Sequence, residues 1–280
     1  MSFSAEVKEE LSNINNYNKK DLLEAEFIGY WSSQNCIIEN GYTKIFTENE
    51  FNIERIYKIL FNLKIDYEPE IDGKKYIAKI CDFKVKNLED LQSDDEKKAF
   101  IRGVFLGSGS VNDPNKKYHL EVLINEKDVS TYIQNILKSV EIKVKILNTN
   151  NTVYIKEGEE ISKFLAYIGA QKSVLKFEEI RVIKDLRNTV NRQVNCETAN
   201  LTKTVNAAVV QIDAINFLKK MKKFDDLPKN LIEIAELRVK YPEMSLKSLG
   251  ENLEKPIGKA GVNHRLNKII EMSEEIKKGV

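Results

Sequence analysis

One stretch near the C-terminus of this 280-residue chain carries side chains suited to reading nucleic acid. Gly258 to Lys268 reads GKAGVNHRLNK, and a helix there would bury Val262, Leu266, Ile269 and Ile270 on one side. The residues left facing outward are Lys259, Ala260, Gly261, Asn263, His264 and Asn267, with Arg265 and Lys268 at the flanks. Asparagine bonds adenine bidentately, and lysine and arginine bond guanine or phosphate. Small residues at Gly258, Ala260 and Gly261 let the positive end of the helix dipole approach a phosphate backbone. His264 alone says little, because an exposed helical histidine is more often a bystander than a ligand.

Such a helix needs partners to hold it. Upstream, Ser245 is suited to an N-cap, Leu246, Leu249 and Leu253 form one face, and Gly250 lets a second helix cross closely. Lys247 lies on the outer side of this helix and joins the DNA-binding candidates. Glu254 to Ile257 reads as a short connection, with Pro256 stopping the helix before it. Asp225-Asp226-Leu227-Pro228 reads as an earlier helix start, followed by an apolar face of Leu231, Ile234, Ala235 and Val239. Two short helices joined by a tight turn and covered by a third make a helix-turn-helix, whose second helix enters the major groove. The blander alternative is an amphipathic helix pair whose outer residues are merely solvated.

The preceding chain reads as one pattern written twice. An apolar helix at Asp21 to Trp31 is followed by strand-like CIIENGYTKIFTEN, a helix bearing Ile53, Ile56, Tyr57 and Leu60, and two strands around Asp72-Gly73. From Glu96 the order recurs: KKAFIRGVFLGSGSV, strand-like YHLEVLIN, a helix with Ile133, Ile136, Leu137 and Val140, and strands EIKVKIL and TVYIKEG. Asn35 and Gly109 occupy equivalent places, and ISKFLAYIGA closes the second copy. Beyond Lys172 the pattern is helical, with Val205, Ala208, Val209, Ile212 and Ile215 as an apolar stripe that must pack on something. The expected fold class is α+β, a tandem-duplicated αββαββα domain followed by an all-α helix-turn-helix domain. The expected boundaries are 1–87, 88–172, a helical connector at 173–224, and 225–280.

Composition narrows the function. A net charge of +1 excludes a polycation, so any nucleic-acid surface is local. Between Lys172 and Lys223 there are 11 basic and 5 acidic side chains, which permits one. No apolar run is long enough for a membrane span, and the charged N-terminus MSFSAEVKEEL is unlike a signal peptide, so a cytoplasmic, nucleoid-associated protein is expected. Cys36, Cys81 and Cys196 lack metal-knuckle spacing and read as reduced packing residues.

With these residues assembled, the chain resembles the WhiA family of sporulation-associated transcription regulators over essentially its whole length. The resemblance rests on MSFSAEVKEEL, FIRGVFLGSGSVNDPNKKYHLE, RNTVNRQVNCETANLTKT, and the SLKSLGENL and GKAGVNHRLNKI pair. It implies a domain like that of LAGLIDADG homing endonucleases joined to a C-terminal helix-turn-helix. It further implies double-stranded DNA as partner, a second regulator as a protein partner, and a link to sporulation, cell division and chromosome segregation.

The resemblance also bears on catalysis. A LAGLIDADG nuclease ends each of two central helices in an acid, and the pair holds divalent metal for phosphodiester hydrolysis. Here Ile101 to Gly109 matches the second motif with Ser108 at the acid position, and Phe27 to Asn35 matches the first with Gln34 there. Neither supplies the anionic oxygen that a hard cation needs, so no catalytic residue, metal or cofactor is expected, Asp113 being the nearest remaining acid. Gly103 and Gly107 keep a packing role against the helix bearing Gly29. The first motif departs from the family in bulky Tyr30 and Trp31 and in Asn35, and the second helix of the pair lacks the family's serines near Gly258 and Ala260. The competing readings are a protein-binding scaffold with weak DNA affinity and a metal-dependent endonuclease.

Overall fold

The computed structural model describes residues 1–39, 41–81, 87–147 and 149–279. It divides into two compact units, Met1–Leu186 and Arg187–Val280. In the first, helices α1 (Phe3–Ser12) and α2 (Lys20–Trp31) precede strands β1 (Cys36–Glu39) and β2 (Tyr42–Thr47), helix α3 (Glu50–Leu63), and strands β3 (Tyr67–Asp72) and β4 (Lys75–Cys81). The order recurs as α4 (Asp94–Ser108), β5 (Gly109–Val111), β6 (Leu120–Val122), α5 (Lys127–Ser139), β7 (Lys145–Leu147), β8 (Thr152–Ile155) and α6 (Gly158–Ile168). Both sheets are antiparallel with the same order, β1-β2-β4-β3 and β5-β6-β8-β7. This is the expected α+β duplication.

Local chemistry sets the element ends. Ser93 and Glu96 form a reciprocal capping box that starts α4. Gly73, at φ +59, takes the first central position of the β3–β4 hairpin, where the strand twist favours a left-handed backbone. Some expectations fail at the edges. YHLEVLIN and EIKVKIL yield strands of only three residues, and Val140 caps α5 in the open rather than extending its buried face. The first copy has no closing α-helix among the described residues, only a 3-10 turn at Leu88–Asp90. Of the cysteines only Cys36 is a packing residue, its thiol pushed up to about 12 by burial, while Cys81 and Cys196 are exposed.

The two motif helices, α2 and α4, cross at the centre of the first unit. A Cβ added at Gly29 would fall on the backbone of Phe100 and Val104, and one at Gly103 on the backbone carbonyl of Glu26. Gly107 faces the Ser33 side chain. The pairs Gly29–Phe100 and Gly103–Glu26 exchange under the offset that relates Asn35 to Gly109, so the repeat read from sequence is the pseudo-twofold of this crossing. The bulky departures are absorbed. Tyr30 is fully buried and donates to Asn52 Oδ1 at 2.5 Å, and Asn35 Nδ2 donates to the Gly107 carbonyl at 2.7 Å.

A charged network lies in the same core. The fully buried Glu26 receives hydrogen bonds from Arg55 through Nε and through Nη2 at 2.7 Å, and from Arg102 Nε at 2.9 Å. Arg55 also donates to the Ile14 carbonyl at 2.7 Å and to Asn16 Oδ1 at 3.0 Å. One carboxylate thus joins α2, α3, α4 and the segment after α1. Burial alone would raise the Glu26 pKa, but the charges of Arg102 and Arg55 outweigh it and hold the group below its ordinary value.

Helix α7 (Gln171–Lys220) begins in the first unit and ends in the second, followed by α8 (Lys229–Lys240), α9 (Leu246–Glu251) and α10 (Lys259–Lys277). Ile215 and Leu218 of α7 pack with Phe224, Leu231, Ile234, Ala235, Leu249, Leu253, Val262, Leu266 and Ile269 in one core. The α7 stripe differs from expectation. Ala208 and Ile215 are buried, but Val205 and Val209 are exposed, and Gln211, Ala214 and Leu218 turn inward instead. Periodicity marks a stripe without fixing its edge to better than one residue on either side.

Candidate nucleic-acid interface

The helix pair is set by two small features. Ser245 Oγ accepts from the Ser248 amide at 3.1 Å and starts α9. Gly250 then lies against the turn: its carbonyl accepts from the Ile257 amide at 3.1 Å, and a Cβ on it would overlap the Ile257 carbonyl oxygen. Helix α9 ends earlier than expected, at Glu251 with Asn252 as its cap, so Pro256 lies within the turn and does not stop the helix. Leu253 is in the turn as well, yet still buried. Substituting Gly250→Val forces that turn away from α9 and is expected to cost about 1–3 kcal/mol by overpacking. Urea unfolding followed by far-ultraviolet circular dichroism checks this, and an unchanged midpoint would show that the turn yields freely.

Helix α10 presents its N-terminal half outward. Gly258 is the N-cap with no side-chain cap, and nothing lies within 4 Å of where its Cβ would be, so the start of the helix carries no covering side chain there. Lys259, Ala260, Asn263, His264, Asn267 and Lys268 are exposed. Two expected members are drawn inward. Gly261 is half-buried against Ile257, 3.2 Å from its would-be Cβ, and Arg265 is half-buried with Nη1 donating to the Asn230 carbonyl at 3.4 Å. Lys247 is exposed and pairs loosely with Glu251 at 3.9 Å. No acidic residue occurs from Gly258 to Ile270, so this half of the helix combines the positive end of the dipole with cations and neutral amide groups, and with no anion.

The positions of the lost acids converge on one backbone oxygen. Gln34, whose residue is exposed, donates its backbone N–H to the Leu123 carbonyl at 3.1 Å, and the buried Ser108 donates its side-chain hydroxyl to the same oxygen. Ser108 at the end of α4 and Gln34 just beyond the end of α2 therefore close a hydrogen-bonded seam. Asp113 is engaged elsewhere: its carboxylate accepts from the Asn115 amide at 2.8 Å and from Asn115 Nδ2 at 3.0 Å, which holds its pKa below the usual range. Among the described residues no three His, Cys, Asp or Glu side chains gather as a metal site.

Two of the strand lysines are already paired. In the first sheet, Lys44 and Lys79 are neighbours across β2 and β4, but Lys44 pairs with Glu39 at 3.5 Å and Lys79 with Glu68 at 2.9 Å. In the second, Ser110, Glu121, Tyr154 and Lys145 form one cross-strand row, and Glu121 also faces His119 Nε2 at 3.1 Å.

Sequence reasoning missed Arg238 on α8. It is 1% exposed, donates through Nη1 to the Met244 carbonyl at 2.8 Å and the Pro242 carbonyl at 3.2 Å, and its Nε has no partner. The signal was legible: Arg238 falls on the face marked by Leu231, Ile234 and Ala235, a charge where an apolar residue belongs.

Known proteins agree with these two units. A family model for the WhiA C-terminal HTH domain matches residues 190–273, and one for the WhiA LAGLIDADG-like domain matches residues 97–187. A relative from Clostridium acetobutylicum named "Probable cell division protein WhiA" is 39% identical over an alignment covering 99% of each chain. One of the same name from Clostridium tetani is 46% identical across 82% of this chain and 74% of its own. The crystal structure of full-length DUF199/WhiA from Thermotoga maritima superposes with a TM-score of 0.65 at 26% identity, covering 98% of this chain and 99% of that one. Among the described residues no helix is long and apolar enough to cross a membrane. With a LAGLIDADG-like duplication, a helix-turn-helix domain and a relative alike from end to end, this chain belongs to the WhiA family.

Proposed function

We propose that the protein is a DNA-binding transcription regulator that reads duplex DNA with α10 and carries a homing-endonuclease-like domain without catalytic activity. The observation that carries the reading is the acid-free, amide- and lysine-bearing outer face of α10, held over its own core by α8 and α9. Lys259, Asn263, His264, Asn267 and Lys268 would face the groove. Gly258 and Ala260 would admit the backbone, and Lys247, Gly261 and Arg265 would support the edge of the contact. The seam through Leu123 supports the absence of cleavage, because the side chains at the acid positions are neutral and Ser108 is committed to a carbonyl. The relatives' name supports a role in cell division, to which the resemblance adds sporulation and chromosome segregation. The place of action would be the nucleoid in the cytoplasm, and the helix-turn-helix module would extend back into α7 as far as its core contacts at Ile215.

The test is to incubate a labelled promoter duplex with the protein, with and without magnesium. The expected result is a salt-sensitive complex with the duplex intact, because phosphate contacts release condensed counterions. The double variant Lys44→Glu/Lys79→Glu on the first sheet should leave the affinity within about twofold, since those lysines already face carboxylates in a screened, exposed setting. Magnesium-dependent cutting would overturn the non-catalytic reading. A marked loss in the sheet variant would move DNA contact to the duplicated domain.

A further inference from the structure

A cavity of about 420 Å³ opens within the second unit, lined by Lys203, Thr204 and Ala207 of α7, Arg238 of α8, Ser245, Leu246 and Lys247 at the start of α9, and Lys259 at the start of α10. Four of these side chains are cationic and none is acidic. Among the described residues the pair Lys247–Glu251, at 3.9 Å on exposed side chains, is the one salt bridge that these four cations make. Lysines near one another on a surface are common and would not make a site by themselves. Arg238 is different, because a guanidinium 1% exposed has given up its hydration, is met through Nη1 by two backbone carbonyls but by no carboxylate among the described residues, and keeps an Nε–H with no acceptor. Burial lowers its pKa, the direction expected of a cation that lacks its counter-charge. Buried charges are ordinarily paired, and a buried unsatisfied donor costs free energy that a suitable acceptor would recover.

We infer that this cavity binds a phosphate group, held by Arg238, Lys203 and Lys259, and that in the complex the group is a backbone phosphate of the duplex that α10 reads. The inference rests on the DNA-binding reading and extends it, because it brings α7 and α8 into contact with the ligand through residues outside the helix-turn-helix proper. Lys259 belongs both to the outer face of α10 and to the cavity wall, so a phosphate seated there fixes the register of α10 along the groove. It also gives Lys203 and Thr204, in the RNTVNRQVNCETANLTKT stretch, a direct task. Thr204 Oγ1 donates back to the Asn200 carbonyl at 2.9 Å, which leaves the cations as the binding groups. A free phosphate presents the same chemistry as a DNA phosphate, so the test has one arm for each.

In the first arm, affinity of the full-length protein for a short labelled duplex of arbitrary sequence is measured across a salt series. Lys203→Ala, on the exposed side of α7, should weaken binding about tenfold and reduce the log–log salt slope by about 0.9, whatever the sequence. In the second, melting is followed in sodium phosphate and in sodium chloride at equal ionic strength without DNA. Stabilisation by phosphate in the wild type that is absent in Lys203→Ala and Arg238→Gln identifies a free anion as an occupant. Lys203→Ala keeps the test readable should Arg238→Gln fail to fold, since Arg238 also holds the turn at Pro242 and Met244. An unchanged slope in Lys203→Ala, with no phosphate effect on melting, overturns the site. Absence of DNA binding by the wild type would sink the regulator reading, while phosphate-specific stabilisation would still support the cavity.

Discussion

Glu26→Gln is expected to destabilise the first unit by about 3–5 kcal/mol, the cost of breaking a buried ion pair by removing one partner. The substitution keeps size and shape and removes only the charge, leaving Arg55 and Arg102 buried opposite a neutral amide. Set against a typical domain stability of about 5–15 kcal/mol, that is a large fraction of the whole. Trp31 is the only tryptophan and lies at the end of α2, so its fluorescence in a urea titration reports the unit in question. The pH dependence gives a second signature. The folded-state pKa of Glu26 is lowered, so its contribution is full above the unfolded-state value of about 4.5 and is lost as pH falls through the lower folded value. The gap between wild type and Glu26→Gln should therefore be widest near neutral pH and narrow in acid. A difference of under about 1 kcal/mol at neutral pH would show the network to be idle.

The same residues mark what the sequence disclosed and what it withheld. The duplication was legible because two motif helices, each with a glycine at its crossing point, must bury nearly every face, and such helices read as apolar runs spaced by a constant offset. Gly250 and the stripe of α10 were legible for the same reason: burial at a fixed period leaves a pattern that one sequence can display. Glu26 and Arg102 also left a mark, as charges of opposite sign inside EAEFIGYW and AFIRGVF, but a single sequence does not say that two charges so far apart in the chain are partners. Arg238 likewise left a mark, as a charge on an apolar face, but its acceptors are backbone carbonyls in a loop, which no residue type announces. The end of α9 was misjudged because a proline is a conspicuous stop signal, whereas the helix stopped earlier, at a polar cap that many residues can form.

The triple variant Lys259→Ala/Asn263→Ala/Lys268→Ala is expected to lose at least about 100-fold in affinity for a promoter duplex at moderate salt, and its log–log salt slope should fall by about 2. Each lysine removed withholds one counterion-releasing contact, which weakens every sequence alike, whereas an asparagine bonded bidentately to a base contributes about 1–3 kcal/mol of discrimination. Single variants separate the two. Lys259→Ala and Lys268→Ala should shift specific and nonspecific binding together, and Asn263→Ala should lower their ratio with the salt slope intact. Arg265 is left in place because its guanidinium already donates to the Asn230 carbonyl, so removing it would loosen the fold along with any contact. The three chosen side chains are exposed and none belongs to the apolar core of the second unit, so the melting temperature should not move. Loss of affinity with melting unchanged would locate the DNA contact on α10. Undiminished binding would transfer it to the basic residues of α7 or to the duplicated domain, and the outer face of α10 would then be only the solvated side of an amphipathic helix.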